Sequence, residues 1–243
     1  MEQLKKTAEI IKQSKHLIAF TGAGISAESN IPTFRGKNGI WNKYNPKLLD
    51  ITYFKNNSDL CWKHITDMFF SVIDKAYPNY AHYFLYELEQ QNILKSIITQ
   101  NIDNLHQKAG NKNIIEFHGN TRELICTKCK KKYNVKDFDL LKETPKCLCG
   151  SILKPDFVFF GENIPVDAYK KAINEINLCD VMLIIGTTGE IMPASILPYE
   201  AKNNGSLIIE INPEESNYTN KITDYFIKQK AVIASNKLKQ FIL

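Results

Sequence analysis

The stretch LIAFTGAGISAESNIPTFRG (residues 17–36) decides how this chain folds. Its first four residues are apolar and lead into a glycine turn, as a buried parallel strand does. Gly22, Gly24 and Ala27 then fit the pattern G-x-G-x-x-G/A, which joins a strand to a helix in loops that bind dinucleotides. Glycines let the backbone approach a pyrophosphate, and amides at the start of the helix bind its oxygens. The stretch therefore predicts a dinucleotide-binding loop, with an ordinary tight turn as the alternative.

Outward from this loop, strand-like and helix-like segments alternate. Short apolar runs predict strands, and apolar residues at helical spacing predict helices. The alternation predicts an α/β fold with a doubly wound parallel sheet. The rhythm breaks at about 45–85 and at 126–153, and we expect these two insertions to build a smaller second lobe. The predicted strands are 17–20, 93–100, 114–119, 181–186 and 206–212, with a further apolar run at 152–160, and the predicted helices are 2–15, 58–76, 79–91, 165–178 and 193–204.

The composition of the 243-residue chain is that of an ordinary globular protein, with 44% apolar and 23% charged residues. These values exclude a disordered, collagen-like or coiled-coil protein. A net charge of +5 is too mild to indicate nucleic-acid binding. No apolar run approaches the length of a membrane span, and charges occupy the stretch where a signal peptide needs apolar residues. We therefore expect a cytoplasmic protein in a reducing cytosol, and a monomer because no segment indicates an interface.

Polar residues follow two of the predicted strands, at the edge of the sheet where ligands of such folds bind. Gln100, Asn101, Ile102 and Asp103 follow the second strand. Asn and Asp there can read an amide and stabilise a developing cation, although both are also good helix caps. His118 ends the third strand, and a histidine that is neutral near pH 7 is a suitable general base. His106 lies near the same edge and is the second candidate.

Two further groups of residues can serve a dinucleotide. Phe34 and Arg35 lie beside the glycine loop and can offer a lid and a cation, or they are simply a core phenylalanine and a surface arginine. The usual acidic ribose ligand after the second strand is not evident, which counts against an ordinary dehydrogenase. Asn212 and Glu214, after the strand at 206–212, can serve an adenosine ribose instead.

Four of the six cysteines form two close pairs, Cys126-x-x-Cys129 and Cys147-x-Cys149, separated by 17 residues. Such spacing fits a tetrahedral zinc site made of four thiolates. Because all four positions are then filled by protein, we expect a structural metal and not a catalytic one. Cys61 and Cys179 lie among apolar residues and are expected in the core.

Taken together, these residues resemble the sirtuins, a family of NAD-dependent protein lysine deacylases. The resemblance covers nearly the whole chain and implies NAD as co-substrate, one structural Zn²⁺, and an acyl-lysine protein or peptide as substrate. It lies in the order and spacing of GAGISAESNIPTFRG (22–36), TQNIDNLHQKAG (99–110), EFHGN (116–120), the four cysteines, FGE (160–162), GTT (186–188) and EIN (210–212).

The resemblance also implies two domains with the active site in the cleft between them. A large Rossmann-like domain binds NAD, and a small domain is made of a zinc ribbon and a helical insertion. We assign residues 1–45, 86–125 and 154–243 to the large domain. The helical insertion is then 46–85 and the zinc-binding module is 126–153.

By resemblance, His118 is the catalytic base. Val158, Phe160, Gly161 and Glu162 match the segment that pairs with the substrate backbone by strand addition. The residues assigned to NAD are Gly22, Ala23, Gly24, Ser26, Ala27, Phe34 and Arg35 in the glycine loop, Gln100, Asn101, Ile102 and Asp103 on the nicotinamide side, Gly186, Thr187 and Thr188 at the phosphate and ribose, Asn212, Pro213 and Glu214 at the adenosine, and Ala231 near the adenine.

The reaction implied by the resemblance releases nicotinamide from NAD, moves the acyl group from lysine to ADP-ribose, and consumes one water to release free lysine. His118 takes a proton from a ribose hydroxyl in this scheme, and zinc takes no part in bond-making. ADP-ribosyl transfer to protein, or hydrolysis of NAD, would use the same chemistry and stays an alternative. A non-catalytic binding module with a zinc ribbon is the third interpretation, against which the intact loop and His118 argue.

The chain departs from the family pattern at several positions. Asn30 stands where a glycine is common, and asparagine tolerates a positive φ. Ala27, Glu28 and Thr33 resemble the branch that includes desuccinylases, which binds an acidic acyl group with a Tyr and an Arg three residues apart.

Aligned on Trp62, the chain has Ile65 and Met68 at those two positions. Because neither binds a carboxylate, we predict weak desuccinylation. With Phe69 they would favour long fatty acyl chains, unless all three are ordinary helix core residues.

Overall fold

A six-stranded parallel sheet forms the larger part of the structure, which is a computed structural model describing residues 2–36 and 39–242. Its strand order is β3-β2-β1-β7-β8-β9, and all neighbouring pairs are parallel. The order reverses direction between β1 and β7, which makes this a doubly wound, Rossmann-like sheet and confirms the predicted fold class. The strands in chain order are β1 (Leu17–Thr21), β2 (Leu94–Thr99), β3 (Ile114–Glu116), β4 (Gly119–Cys126), β5 (Lys132–Asn134), β6 (Leu153–Phe157), β7 (Val181–Ile185), β8 (Leu207–Asn212) and β9 (Tyr225–Lys228).

Helices cover both faces of this sheet. The side chains of β1 alternate, so that Leu17 and Ala19 join one core cluster while Ile18 and Phe20 join the other. The first cluster also holds apolar residues of α1, α5 and α9, and the second holds those of α7 and α8. The helices in chain order are α1 (Glu2–Gln13), α2 (Ile51–Asn56), α3 (Ser58–Ile65), α4 (Ser71–Ile73), α5 (Tyr80–Gln90), α6 (Leu105–Ala109), α7 (Val166–Leu178), α8 (Leu197–Asn203) and α9 (Ala231–Ile242).

A second, three-stranded antiparallel sheet has the order β5-β4-β6. Its core cluster joins Leu124 and Leu153 of this sheet to Phe54 and Trp62 of the helical insertion. The Trp62 indole Nε1 donates to the Leu153 carbonyl at 2.8 Å, so the helices and the sheet are tied together inside that cluster. The division of the chain into two domains at the boundaries given above stays a prediction.

Several local elements differ from the predictions. The helix expected at 58–76 is interrupted by a π-helix, Thr66–Phe70, between α3 and α4. The glycine loop leads into a 3₁₀ helix, Ala23–Ser29, and not an α-helix. That helix ends at Asn30, whose φ of 62° is the left-handed conformation anticipated for a glycine substitute. No element was predicted at α2, α6, β5 and β9, which are too short to show hydrophobic periodicity, or at β4 and the longer α9.

The part of the chain that the structure describes contains no helix with the length and apolar character needed to cross a membrane.

Candidate active site

A cavity of about 500 Å³ lies where the carboxyl ends of the parallel strands approach the second sheet. Most of the residues predicted to bind NAD or substrate line it, although they come from distant parts of the sequence. Those that do are Gly22, Ala23, Gly24, Phe34, Arg35, Gln100, Asn101, Ile102, His118, Val158, Phe160, Gly161, Glu162, Gly186, Thr187, Thr188, Asn212, Pro213 and Glu214.

The glycine loop presses directly against the loop that follows β7. The Gly22 amide donates to the Ile185 carbonyl at 3.0 Å, and the Gly24 amide donates to the Gly186 carbonyl at 2.8 Å. A Cβ atom on Gly24 would lie 2.6 Å from the Gly186 Cα, which is too close for any side chain. Gly186 itself has a φ of +68°, where a side chain is strained. Both glycines are therefore required by backbone contact within the fold.

Asn101 and Asp103 are fixed by a buried polar network behind the cavity wall. The Asn101 Nδ2 donates to the Gly22 carbonyl at 3.1 Å and to the Ser26 Oγ at 3.3 Å. The Ser26 hydroxyl donates to Asp103 Oδ2 at 2.7 Å, and the Leu105 amide donates to Asp103 Oδ1 at 2.9 Å. Burial raises the pKa of the Asp103 carboxyl, whereas these two hydrogen bonds lower it. The network holds the Asn101 side chain in one orientation at the cavity.

His118 reaches the cavity with its ring orientation fixed. Its Nδ1 lies 3.1 Å from the Gln100 carbonyl oxygen. Because a carbonyl only accepts hydrogen bonds, Nδ1 carries the proton and Nε2 keeps a lone pair. Burial lowers the pKa of His118, although the bond to Gln100 partly opposes this effect. The ring is therefore neutral near pH 7, as a general base requires.

His106 is placed quite differently from His118. It is 1% exposed and lies outside the cavity. Its Nε2 is 3.0 Å from the Thr21 hydroxyl, and burial lowers the pKa of His106 to about 3. A residue so enclosed cannot meet a substrate, so the structure separates the two candidate bases and leaves only His118 at the cavity.

The four paired cysteines come together at the end of the second sheet. Their Sγ atoms all lie within 4.8 Å of one another, with 3.6 Å between Cys126 and Cys149 and 3.6 Å between Cys129 and Cys147. A tetrahedral zinc ion with Zn–S bonds of about 2.3 Å places its sulfur ligands about 3.8 Å apart. The arrangement therefore fits a structural zinc site with four protein ligands.

Comparison with known proteins identifies the family. The profile of the Sir2 family matches residues 22–193. A relative from Pyrococcus abyssi, named NAD-dependent protein deacylase, is 45% identical over 93% of this chain and 92% of its own. A relative from Sulfolobus acidocaldarius, named NAD-dependent protein deacetylase, is 42% identical over 96% of this chain and 92% of its own. This chain belongs to the Sir2 family.

Solved Sir2 structures have the same fold. A Sir2 homologue in complex with NAD superposes with a TM-score of 0.91 at 40% identity, covering 98% of this chain and 93% of that one. A Sir2 complex with a p53 peptide and NAD⁺ superposes with a TM-score of 0.90 at 33% identity, covering 98% and 97% of the two chains. The predicted sirtuin family is thus confirmed along nearly the whole chain.

The segment predicted to bind the substrate backbone forms a turn at the end of β6. The Val158 amide donates to the His118 carbonyl at 2.9 Å. The Glu162 amide donates to the Phe159 carbonyl at 3.0 Å, which closes a turn that has Gly161 at φ +85°. Phe160 pairs on one side with the chain at Leu49 and Ile51. Both backbone hydrogen-bonding groups of Phe160 are therefore already used within the chain.

The positions predicted to contact an acyl chain lie at different depths. Ile65 is fully buried in α3 and does not line the cavity, which is what the alternative of an ordinary helix core residue predicts. Met68 lines a small adjoining cavity of about 30 Å³, and Phe69 lines both cavities. The π-helix begins after Ile65 and widens the turn, which explains why only the later two residues reach this space.

Four residues assigned to NAD do not line the main cavity. Ser26 and Asp103 stand behind it in the buried network. Ala27 is exposed on the 3₁₀ helix, and Ala231 is 5% exposed at the start of α9. The structure therefore places Ser26 and Asp103 as supports of the wall and gives no contact role to Ala27 or Ala231.

A buried carboxylate outside the predicted site residues organises the loop that follows β8. Glu210, fully buried on β8, accepts hydrogen bonds from Asn212, Ser216, Thr219 and Thr223 at 2.5–3.0 Å. The Asn212 Nδ2 also donates to the Thr187 carbonyl at 3.0 Å. These bonds join the loops that follow β7 and β8. In the sequence, Glu210 was noted only as part of the motif EIN at 210–212.

We expect Cys147→Ser to lose the metal, because a serine hydroxyl is a poor zinc ligand and three thiolates do not close the tetrahedron. Metal content measured by atomic absorption should fall to near zero, and limited proteolysis should cut the chain between β5 and β6. Cys61→Ala is the matched control, since Cys61 lies in the same core cluster without being a ligand. Full zinc content in Cys147→Ser would contradict the assignment.

Proposed function

We propose that this protein removes acyl groups from lysine side chains of proteins with NAD as co-substrate, giving nicotinamide, O-acyl-ADP-ribose and free lysine. One observation carries the proposal. A single cavity joins the oriented, neutral His118 to the glycine loop and to the Val158–Glu162 segment. Sir2 family membership and the names of relatives at 42–45% identity bear out the prediction of an NAD-dependent protein deacylase.

The residues around the cavity fit a dinucleotide, but not in the way that the glycine pattern predicts. The Gly22 and Gly24 amides are already bonded to the loop after β7. Other groups must therefore donate to the pyrophosphate. We propose the Ala23 amide, the Thr187 and Thr188 hydroxyls and the Arg35 guanidinium. Arg35 makes an ion pair with Glu190 at 3.1 Å and is half-exposed, so it can turn to a phosphate at little cost.

NAD, when bound, supplies a ribose carbon from which nicotinamide departs. We propose that Asn101 faces the positive charge that develops there, because its Nδ2 is held by Gly22 and Ser26 and its Oδ1 is the acceptor it can offer. His118 then accepts a proton from a ribose hydroxyl at Nε2, since Nδ1 is committed to Gln100. The apolar side chains of Phe34 and Phe69 exclude water from this end of the cavity.

We also propose a monomer that works in a reducing cytosol. The glycine loop, His118 and the Val158–Glu162 segment meet at the cavity within a single chain, which supports a monomer. None of the six cysteines forms a disulfide, and a reducing compartment preserves that state.

The deacylase proposal is tested by nicotinamide release from NAD with no peptide, with an acetyl-lysine peptide and with a myristoyl-lysine peptide. We expect release only with an acylated peptide. His118→Ala should reduce formation of deacylated peptide at least about 100-fold, because it removes the general base. Release without peptide would favour NAD hydrolysis or ADP-ribosyl transfer. Wild-type activity in His118→Ala would remove His118 from the mechanism.

The pH dependence should report the protonation of His118. Below its pKa the imidazole carries a second proton and cannot accept another, so kcat/KM falls as the pH falls through that value. Because burial lowers the pKa of His118, the fall should lie below about pH 6.5, the usual value for histidine. His16→Gln, at the opposite end of β1, should leave the profile unchanged. A fall centred above pH 7 would contradict this account.

We further propose a preference for apolar acyl chains over acidic ones. The wall beside the Val158–Glu162 segment includes Trp41, Phe69 and Phe157. Arg35, the cationic side chain at the cavity, is assigned above to the pyrophosphate of NAD, so it is not available to an acyl carboxylate. A succinyl carboxylate would therefore lose water without gaining an unpaired cation, whereas each buried CH₂ of a fatty chain gains about 0.8 kcal/mol.

Acyl preference is measured as kcat/KM for acetyl, succinyl and myristoyl forms of one peptide. We expect the succinyl peptide to be the poorest substrate. Phe69→Ala should lower the ratio of myristoyl to acetyl turnover about tenfold, since it removes apolar contact from the wall. Ile65→Val, which alters the same helical region outside the cavity, should leave the ratio unchanged. Equal turnover of all three peptides would refute the preference.

A further inference from the structure

Lys154 is a buried lysine that no part of the proposed reaction uses. It lies on β6 and is only 5% exposed. Its Nζ donates to the Pro155 carbonyl at 2.8 Å and the Phe157 carbonyl at 2.7 Å, and it lies 3.1 Å from the Glu162 carboxylate. Three acceptors match the three N–H donors of an ammonium group. Burying an ammonium group costs desolvation free energy unless each donor is paired, and each donor of Lys154 has a partner.

All three partners belong to the segment Pro155–Glu162, which leads into the cavity. Glu162 Oε2 also accepts the Phe159 amide at 2.9 Å, and the Phe159 ring lies under the ammonium with its centroid at 4.7 Å. The ammonium therefore sits inside the turn that presents Val158 and Glu162 to the cavity. Lys154 does not line that cavity.

We infer that Lys154 is a positioning residue for the acyl-lysine peptide, since it holds the Pro155–Glu162 segment in the shape that receives the substrate backbone. The inference rests on the proposed function. A neutral side chain of similar size would fill the same volume, but the Pro155 and Phe157 carbonyls would lose the Lys154 donor and the Glu162 carboxylate would lose its cation. The segment would then have several arrangements of similar energy, of which only some bind peptide.

The inference predicts an effect on one substrate and not on the other. The glycine loop and the loops at Gly186 and Asn212 make no contact with Lys154, because its hydrogen bonds and its ion pair all lie within its own segment. Removing the ammonium should raise KM for the peptide and leave KM for NAD unchanged. A general loss of folding would instead lower kcat, or the active fraction, for both substrates together.

The test uses the full zinc-loaded chain with Lys154→Met and Lys154→Arg. Lys154→Met should raise the peptide KM about tenfold, with the NAD KM within about twofold of wild type. Lys154→Arg should restore most of the peptide affinity, because guanidinium has enough donors and an adjoining cavity of about 150 Å³ offers room. Lys239→Met is the matched control, since Lys239 also pairs with a carboxylate, Glu87, but joins α9 to α5 and has no contact with the Pro155–Glu162 segment.

An unchanged peptide KM in Lys154→Met, or equal increases in both KM values, would overturn the inference. If Lys154→Met does not fold, Lys154→Gln decides, because it keeps two N–H donors without the charge and must show the same selective increase. Nicotinamide release by the wild-type protein distinguishes failure of the deacylase proposal from failure of the proposed role of Lys154. A wild-type protein that releases nicotinamide with acyl peptide while Lys154→Met keeps its peptide KM contradicts only the role of Lys154. A wild-type protein without that activity contradicts the proposed function, and the inference with it.

Discussion

The backbone contact between the loops that follow β1 and β7 is the constraint on which the rest of the site depends. Gly24 and Gly186 meet at a distance that admits no Cβ atom, and the Gly22 amide is bonded to β7. Because these strands are neighbours at the point where the sheet reverses direction, their loops would otherwise diverge and open the crevice. Holding them together closes the floor of the cavity and places Asn101, which bonds to the Gly22 carbonyl, against the same surface. The glycines are thus required for the packing of the two loops. A phosphate would be bound by other donors around them.

The second sheet explains how a structural metal can influence a distant reaction. Strand β4 begins directly after His118 and ends at the zinc ligand Cys126. Its partner β6 pairs Leu153 with Cys126 and ends directly before Val158. One antiparallel pair of strands therefore carries the cysteine cluster at one end and the residues of the cavity at the other. The cysteine cluster is remote from His118 in this arrangement, but zinc bound there would fix the end of the sheet where β4 ends and β6 begins.

The sequence could predict those parts of the site that depend on residue type and spacing, and not those that depend on helix register. The glycine loop and the cysteine pairs are local patterns, and the structure brings the loop to the cavity and the four Sγ atoms together. The residues that would contact an acyl chain depend on helix register. A π-helix after α3 changes which side chains face the cavity, and Ile65 lies in the core. His106 and His118 look alike in sequence, and only the packing around β1 shows that His106 is enclosed. Edge strands such as β9 were not predicted, because their residues show no clear alternation of apolar and polar side chains.

Two buried charged side chains lie behind the cavity walls, and each fixes the orientation of the groups bonded to it. Glu210 accepts hydrogen bonds from Ser216 and Thr219 in the loop after β8, and Lys154 donates to the carbonyls of Pro155 and Phe157. A hydroxyl can exchange the roles of donor and acceptor, and an apolar side chain imposes no direction. A carboxylate can only accept and an ammonium can only donate, so each charge requires its partners to point one way. Such pairs add little to stability compared with apolar packing. Their effect is to remove alternative loop arrangements on both sides of His118, which a site that binds two substrates at once needs more than it needs additional stability.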